Sequence, residues 1–297
     1  MSSVVSRRQL TPLEPVVRQL EGLEQLDPLG ERIGKLVRDS VPAELKDILS
    51  GTWLGHAVHP MLTDVVIGSF SSASLLDLTA GERAGPARQR LVALGFLAYL
   101  PTAAAGVNDW ADSEPVDQAV RRVGLVHAGG NAVAASLYGL SWLAHRRGAR
   151  RSATGLALAG MGVLMAGGYL GGHLSFTRGV GPDQTVFDRG PTDWTVAADA
   201  SQLAEGRPLR AVVDDTPVLL LRQGEEIFAV HDRCSHRGCS LSEGKIEGHD
   251  VVCACHGSRF DLRDGALRHG PATGPQPAFQ VRLEDNRIQV RRLVPEA

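Results

Sequence analysis

Four apolar stretches, each about 20 residues long, fill the middle of this chain and restrict its possible folds more than any other feature. They cover residues 60–79, 91–108, 123–144 and 153–174. A helix needs about 20 apolar residues to cross a bilayer, so the stretches predict four transmembrane helices. The mean hydropathy of the whole chain, −0.06, hides them because polar segments lie on both sides.

A buried soluble helical bundle is the alternative, because polar residues and a proline interrupt the stretches. These residues are Asp64, Asp77, Asn131 and Pro101. The fourth stretch favours the membrane, since it contains Gly160, Gly167, Gly168, Gly171 and Gly172. Glycine lets helices approach closely in lipid but weakens a helix in water.

The charges of the short loops predict an orientation. Basic residues occur in the first loop (Arg83, Arg88, Arg90) and in the third (Arg146, Arg147, Arg150, Arg151), whereas the second begins with Asp109, Asp112, Glu114 and Asp117. Cytoplasmic loops carry the excess of Lys and Arg, so we expect loops one and three in the cytoplasm of a multi-pass protein of the cell membrane. Both termini then lie on the outer face, although no apolar run follows Met1 as a signal peptide would require.

The polar N-terminal segment, residues 1–55, is predicted to form amphipathic helices because apolar residues recur there every three or four positions. Its acids and bases are balanced, which favours packing on the protein over attachment to the membrane surface. The membrane domain is predicted over 56–178 and a linker over 179–189. A formal net charge of −2 argues against a nucleic-acid partner.

The C-terminal part, residues 190–297, has the pattern of a small antiparallel β domain. Apolar runs 217–222 and 226–230 flank Gly224, and runs 279–283 and 287–292 flank Asp285-Asn286, which predicts two hairpins. The predicted fold class is therefore α+β and multidomain, with a four-helix transmembrane bundle followed by an all-β domain.

All four cysteines of the chain lie between residues 234 and 255, which indicates a metal site. The candidate ligands are Cys234 and His236, followed after sixteen residues by Cys253 and His256. Zinc or an iron–sulfur cluster with mixed Cys and His ligands could use this set. Zinc sites usually pair Cys with Cys and His with His, whereas here each arm supplies one of each.

These motifs resemble the Rieske [2Fe–2S] family over residues 190–292. The matching segments are Cys-Ser-His-Arg-Gly-Cys at 234–239, Cys-Ala-Cys-His-Gly-Ser at 253–258 and Gly-Pro-Ala-Thr-Gly-Pro at 270–275. The resemblance implies that Cys234 and Cys253 bind one iron, while His236 and His256 bind the other. It also implies a disulfide between Cys239 and Cys255, as in the Rieske proteins of quinol-oxidising complexes; oxygenase-type domains generally lack that pair.

Two further positions follow from the same resemblance. Ser258 stands where the family's serine hydrogen-bonds a bridging sulfide. Phe260 stands where high-potential members often carry a tyrosine bonded to a cysteine sulfur. We therefore expect a lower potential than in the tyrosine-bearing relatives.

The helical half resembles a family of predicted four-helix bacterial membrane domains of unknown function, some of them fused to Rieske domains. The shared segments are 55–60, 106–110 and 168–173. Four histidines are predicted to lie at one membrane face, namely His56, His59, His127 and His173. They could ligate a b-type haem through His59 and His127, form a quinone or other metal site, or cap helix ends.

The sequence as a whole predicts a membrane-anchored one-electron carrier with one [2Fe–2S] cluster, which exchanges electrons with a quinol, a haem or a soluble carrier. Two alternatives stay open at this point. One is a membrane-anchored Rieske ferredoxin that serves an oxygenase. The other is a zinc-binding or sensory membrane module without redox function.

Overall fold

The structure is a computed structural model that describes residues 12–293, so the predictions for 1–11 and 294–297 lie outside the described residues. The described chain divides into two compact units. The first contains the residues up to Ser40 with Thr63–Ala103 and Trp110–Arg178. The second contains Val41–Leu62, Ala104–Asp109 and the residues from Gly179 onward.

Seven α-helices precede the strands in the described chain. They are α1 (Glu14–Glu21), α2 (Asp27–Ser40), α3 (Ala43–Ser50), α4 (Val58–Thr79), α5 (Gly85–Ser113), α6 (Gln118–Arg146) and α7 (Arg150–Gly172). Three helical stretches of the described residues are long and apolar enough to cross a membrane: Val58–Thr79, Gly81–Ser113 and Arg150–Thr177. The predicted count of four is not confirmed, because His127 and Asn131 lower the hydropathy of α6.

The core of the first unit depends on small residues that admit large rings. Phe70 of α4 stacks on Tyr138 of α6, with ring centroids 4.2 Å apart. A Cβ atom at Gly95 would lie 2.5 Å from Phe70, and one at Gly160 would lie 3.1 Å from Tyr138. The glycines that weaken these helices in water therefore permit their close packing here.

Two buried carboxylates on or next to the long helices of this unit are paired. Asp77 of α4 accepts a hydrogen bond from Arg88 at 2.7 Å and lies 3.1 Å from His145 Nε2. Glu114, 1% exposed, is bound by Arg121 at 2.5 Å and by Arg38 of α2 at 2.7 Å. Pairing compensates the desolvation of buried charges, so these residues can interrupt the apolar pattern without destabilising the bundle.

The β domain contains two antiparallel sheets. Six strands form the first in the order β1-β10-β9-β4-β3-β2, and four form the second in the order β5-β6-β7-β8. Their bounds are Thr195–Asp199, Leu209–Val213, Thr216–Gln223, Glu226–His231, Lys245–Glu247, Asp250–Val252, Arg259–Asp261, Leu267–His269, Ala278–Glu284 and Arg287–Arg292, for β1 to β10.

Both predicted hairpins are confirmed. β3 pairs with β4 across Gly224-Glu225, and β9 pairs with β10 across Asp285-Asn286. Asp285 and Asn286 both have positive φ angles, +48° and +62°, as a two-residue turn that matches the twist of its strands requires. Short polar turn residues therefore set the register of this sheet.

Candidate metal centre

Two loops of the β domain begin with the same backbone turn. The first, Cys234–Cys239, follows β4, and the second, Cys253–Ser258, follows β6. In each loop the amide of a glycine, Gly238 or Gly257, donates to the carbonyl oxygen of the leading cysteine, at 2.9 and 3.0 Å. Both glycines have positive φ angles, +78° and +79°, which residues with side chains rarely adopt. The two loops thus have matching turns directly behind their candidate ligands.

The side chains of these loops supply two thiols and two imidazoles. Cys234 and Cys253 are free thiols, no more than 3% exposed and hydrogen-bonded to each other. The rings of His236 and His256 have their centroids 5.1 Å apart, with an interplanar angle of 89°. The two leading cysteines of the loops are thus close to each other, and so are their two histidines.

The pKa shifts of Cys253 and His236 suit metal binding. The hydrogen bond from Cys234 lowers the pKa of Cys253, and the same bond together with burial raises the pKa of Cys234. Burial lowers the pKa of His236 well below its ordinary value, and the charges of His256 and Arg237 act in the same direction. A neutral imidazole and a readily formed thiolate are the forms that bind metals.

The other two cysteines are joined by the predicted disulfide. Cys239 and Cys255 connect the two loops, with their Cα atoms 6.5 Å apart. The sulfurs of Cys239, Cys253 and Cys255 lie within 4.8 Å of one another. The sulfurs of Cys239 and Cys255 are bonded to each other, so Cys253 alone among the three is available as a metal ligand.

One buried nitrogen in the first loop is suited to bind a metal. Within the described residues, His236 Nδ1 is buried and has no hydrogen-bond partner. A buried polar atom without a partner costs about 1–3 kcal/mol, and a bond to a metal would remove that cost. Together with the two thiols, this nitrogen fits the mixed Cys and His ligation of a Rieske cluster and also fits zinc.

Two more positions singled out by the sequence lie next to the loops. Ser258 is fully buried, and its Oγ accepts a hydrogen bond from the Ala272 amide at 3.1 Å, so its own proton can be donated elsewhere. Phe260 is also fully buried and belongs to the same core cluster as Cys234 and Cys253. The roles that the resemblance implies for both residues stay predictions.

Gln276 contributes to the site although no pattern in the sequence indicates it. This side chain is 2% exposed; it accepts from the Ser235 amide at 3.0 Å and donates to the His231 carbonyl oxygen at 2.7 Å. It therefore braces the first loop against the residues that follow 270–275. The predicted linker also reaches this loop, since the Gln184 amide donates to the Ser235 carbonyl oxygen at 3.0 Å.

The disulfide should stabilise the β domain measurably. Its cysteines are 16 residues apart, and closing a loop of this length stabilises a domain by about 3 kcal/mol. We expect the double variant Cys239→Ala/Cys255→Ala to unfold at a clearly lower denaturant concentration, as followed by circular dichroism of the purified protein. An unchanged midpoint, with the wild type under reducing conditions as the control, would show that the bond adds no stability.

The four membrane histidines are divided between the two units: His56 and His59 belong to the second, His127 and His173 to the first. His127 Nδ1 lies 2.8 Å from the Gly167 carbonyl oxygen, and its Nε2 lies 3.1 Å from Asn131 Nδ2. His173 Nε2 lies 2.8 Å from Glu21 of α1. A haem iron at His127 would therefore have to displace an existing hydrogen bond.

Comparison with known proteins agrees with this geometry. The sequence profile described as Rieske [2Fe-2S] domain matches residues 193–280. The chain is 34% identical over 98 residues to the ferredoxin subunit of anthranilate 1,2-dioxygenase from Burkholderia cepacia, and covers 91% of that protein. The chain belongs to the Rieske [2Fe–2S] family. Its Rieske domain accordingly binds a [2Fe–2S] cluster and transfers electrons.

Further relatives are also named as ferredoxins of dioxygenases. The ferredoxin component of biphenyl 2,3-dioxygenase from Rhodococcus jostii is 36% identical; the match covers 32% of this chain and 90% of that protein. The solved ferredoxin of carbazole 1,9a-dioxygenase from Nocardioides aromaticivorans is 29% identical to this chain. The match covers 34% of this chain and 98% of the ferredoxin, with a TM-score of 0.32. Residues 55–184 match a second profile, predicted membrane protein (DUF2231). The Rieske domain is therefore joined to a predicted membrane domain.

Proposed function

We propose that this protein is a membrane-anchored one-electron carrier whose cluster is held by Cys234, His236, Cys253 and His256. The main support is the meeting of two buried free thiols and two imidazoles on loops joined by a disulfide. The cysteine sulfurs would bind one iron and the histidine nitrogens the other. When bound, the cluster takes up or releases a single electron.

Metal analysis of the purified protein tests this proposal. We expect about two iron atoms and about two labile sulfides per chain, and a Rieske-type electron paramagnetic resonance (EPR) signal after reduction. Zinc without labile sulfide would instead support the zinc-binding or sensory module. Measuring iron, zinc and sulfide in one sample decides between these functions.

For the membrane anchor we propose four crossings, with α6 as the fourth span. Residues 123–144 of this helix contain no Asp, Glu, Lys or Arg. Its polar side chains bond within the helical unit: His127 to the Gly167 carbonyl oxygen of α7, and Tyr138 to Ser74 of α4 at 2.8 Å. A helix whose polar groups find partners on neighbouring helices is compatible with lipid.

We further propose that the Rieske domain lies on the outer face of the cell membrane. The arginine-rich loops one and three favour a cytoplasmic position. The disulfide between Cys239 and Cys255 favours an oxidising compartment for the Rieske domain, on the opposite side of the membrane from these loops. External protease should therefore remove a C-terminal tag in right-side-out spheroplasts but leave it intact in inside-out vesicles, and the reverse pattern would place the domain in the cytoplasm.

The redox partner separates two versions of this function. An outward, disulfide-bearing domain favours a quinol, a haem or a soluble carrier as partner. The similarity to ferredoxins of dioxygenases favours an oxygenase instead. Reduction of the cluster in membranes by added quinol would support the first version, whereas electron transfer only to a purified oxygenase component would support the second.

The haem prediction also receives a direct test. The hydrogen bonds of His127 and His173 favour the capping role of the membrane histidines over haem ligation. A reduced-minus-oxidised visible spectrum should therefore show the broad bleaching of the cluster alone. Strong haem bands at one haem per chain would make His59 and His127 the first residues to replace.

Replacement of Phe260 should change the cluster potential. Its ring lies in one buried core with Cys234 and Cys253, so we propose that a tyrosine hydroxyl there would bond to a cysteine sulfur. A hydrogen bond to sulfur stabilises the more negative reduced state, so we expect Phe260→Tyr to raise the midpoint in an EPR redox titration. Phe228→Tyr, at the edge of the same core, should leave it unchanged. Equal midpoints for Phe260→Tyr and wild type would contradict this account.

A further inference from the structure

One short segment of the second unit has two unlike faces. It comprises α3 and the 3-10 turn Thr52–Leu54, and we name it the α3 segment (Ala43–Leu54). Leu45 and Ile48, three residues apart on one face of α3, are 43% and 57% exposed. Asp47 and Ser50, also three apart, lie on the opposite face and are bonded to other parts of the unit. A helix with one polar face and one apolar face is typical of a segment that packs on its own protein with one face and contacts a different partner with the other.

The polar face binds a third loop of the Rieske domain, residues 269–272. Asp47 accepts a hydrogen bond from the Gly270 amide at 3.1 Å, and its other oxygen lies 2.6 Å from His269 Nδ1. The Thr52 hydroxyl donates to the carbonyl oxygens of Gly270 and, at 3.1 Å, Ala272. These contacts join residues more than 200 positions apart in the chain. They reach the loop whose Ala272 amide binds Ser258.

The apolar face continues into the turn that precedes the first membrane helix. Trp53 is 67% exposed and Leu54 is 43% exposed, and α4 begins four residues later at Val58. Gly51 and Gly55 have φ angles of +89° and +67°, so the backbone on both sides of these residues has the left-handed conformation that favours glycine. The Trp53 indole N–H already donates to the Ile48 carbonyl oxygen at 3.2 Å, so the exposed ring has no unsatisfied polar atom.

We propose that the α3 segment attaches the Rieske domain to the lipid surface: Leu45, Ile48, Trp53 and Leu54 enter the bilayer interface, while Asp47 and Thr52 hold loop 269–272. Lipid is the occupant because the exposed side chains lead directly into α4, an apolar helix long enough to span a membrane. Tryptophan with a satisfied N–H is typical of the membrane interface. The attachment rests on the proposed membrane anchoring and defines where the cluster domain is held.

Tryptophan fluorescence tests the lipid contact without the cluster. Full-length protein is placed in phosphatidylcholine vesicles whose acyl chains are either ordinary or brominated, since bromine quenches a nearby indole. In ordinary lipid, Trp53→Phe should be dimmer than wild type; in brominated lipid this difference should be lost. Trp194→Phe is the matched control, because Trp194 lies between Arg282 and Arg291 of the β domain, each 4.6 Å from its ring. The fluorescence difference between Trp194→Phe and wild type should be the same in both lipids.

Two outcomes would overturn the lipid contact. If Trp53 stays bright in brominated lipid and is quenched by acrylamide in water, this face is open to solvent. If it stays bright and resists acrylamide, a protein surface or a second copy of this chain covers it.

Reduced membranes dried as oriented multilayers test the contact with loop 269–272. The cluster's EPR signal should vary with the angle of the field in wild type and in Glu226→Ala, a control in the same domain, and should lose that variation in Asp47→Ala/Thr52→Ala. A wild-type signal that does not vary with angle would contradict the attachment. Absence of any Rieske signal from the wild-type protein would instead contradict the proposed function, while the fluorescence result would still stand.

Discussion

The Cys253→Ser protein is expected to contain no [2Fe–2S] cluster. Cys253 is one of the two free thiols of the chain that the structure describes, and it lies 3% exposed at the centre of the site. Its pKa is lowered by the hydrogen bond from Cys234, so it is the thiolate most readily formed there. A serine oxygen is a much weaker ligand for iron, and the disulfide leaves no substitute sulfur. Iron, labile sulfide and the EPR signal should all fall to background.

A matched pair of histidine variants separates ligand loss from general damage. His256→Gln should also remove the cluster, whereas His249→Gln should keep it, because His249 only packs edge-on against Phe228 in the same domain. Circular dichroism should show the β domain folded in all three variants. A normal Rieske signal in Cys253→Ser would overturn the ligand assignment.

Gly270→Ala is expected to prevent assembly of the cluster site by displacing the backbone of the second cluster loop. Gly270 has a φ angle of +97°, and a Cβ atom there would lie 2.4 Å from Ser258 Cα and 2.8 Å from the Gly257 carbonyl oxygen. Both contacts are with backbone, so no side chain can turn away to relieve them. The positive φ alone costs about 1–2 kcal/mol for alanine, and the overlap adds to it. We expect cluster content to fall to a trace and the thermal midpoint of the β domain to drop by several degrees.

Gly248→Ala is the control for this substitution. Gly248 also has a positive φ angle, +64°, but nothing lies within 4 Å of its added Cβ. The variant therefore carries the conformational cost without the overlap, and it should keep its cluster with only a small loss of stability. Similar cluster contents in the two variants would show that the closeness of Gly270 to the second loop is unimportant.

The proposed lipid contact of the α3 segment would affect which partner can reach the cluster. Asp47 and Thr52 cover part of the third loop, the loop that packs against Ser258 and the second cluster loop. A Rieske domain held in this way at the lipid surface offers a soluble oxygenase less of its surface than a free ferredoxin does. This favours a partner that arrives through the membrane and makes the quinol experiment the more informative of the two partner tests.

The local features of the site could be predicted from the sequence because they depend on residues close together in the chain. The spacing of Cys234, His236, Cys253 and His256 predicts the donor set, and the turn residues Asp285-Asn286 identify a hairpin and its register. The disulfide followed from a family pattern, and the structure confirms it. The number of membrane helices stays a prediction, because hydropathy alone does not show which partners His127 and Asn131 of α6 have.

The sequence by itself determined the metal-binding loops, the antiparallel strands and the apolar helices, since each depends on periodicity or on spacing within a few tens of residues. Only the tertiary structure decided that Gln276 braces the first loop, that Asp77 is paired across three helices, and that Asp47 and Thr52 bind loop 269–272. Hydrogen bonds of this kind join residues from distant parts of the chain, and their partners are ordinary polar residues that no local pattern distinguishes. They form because folding brings a donor and an acceptor together in a place where water cannot satisfy them.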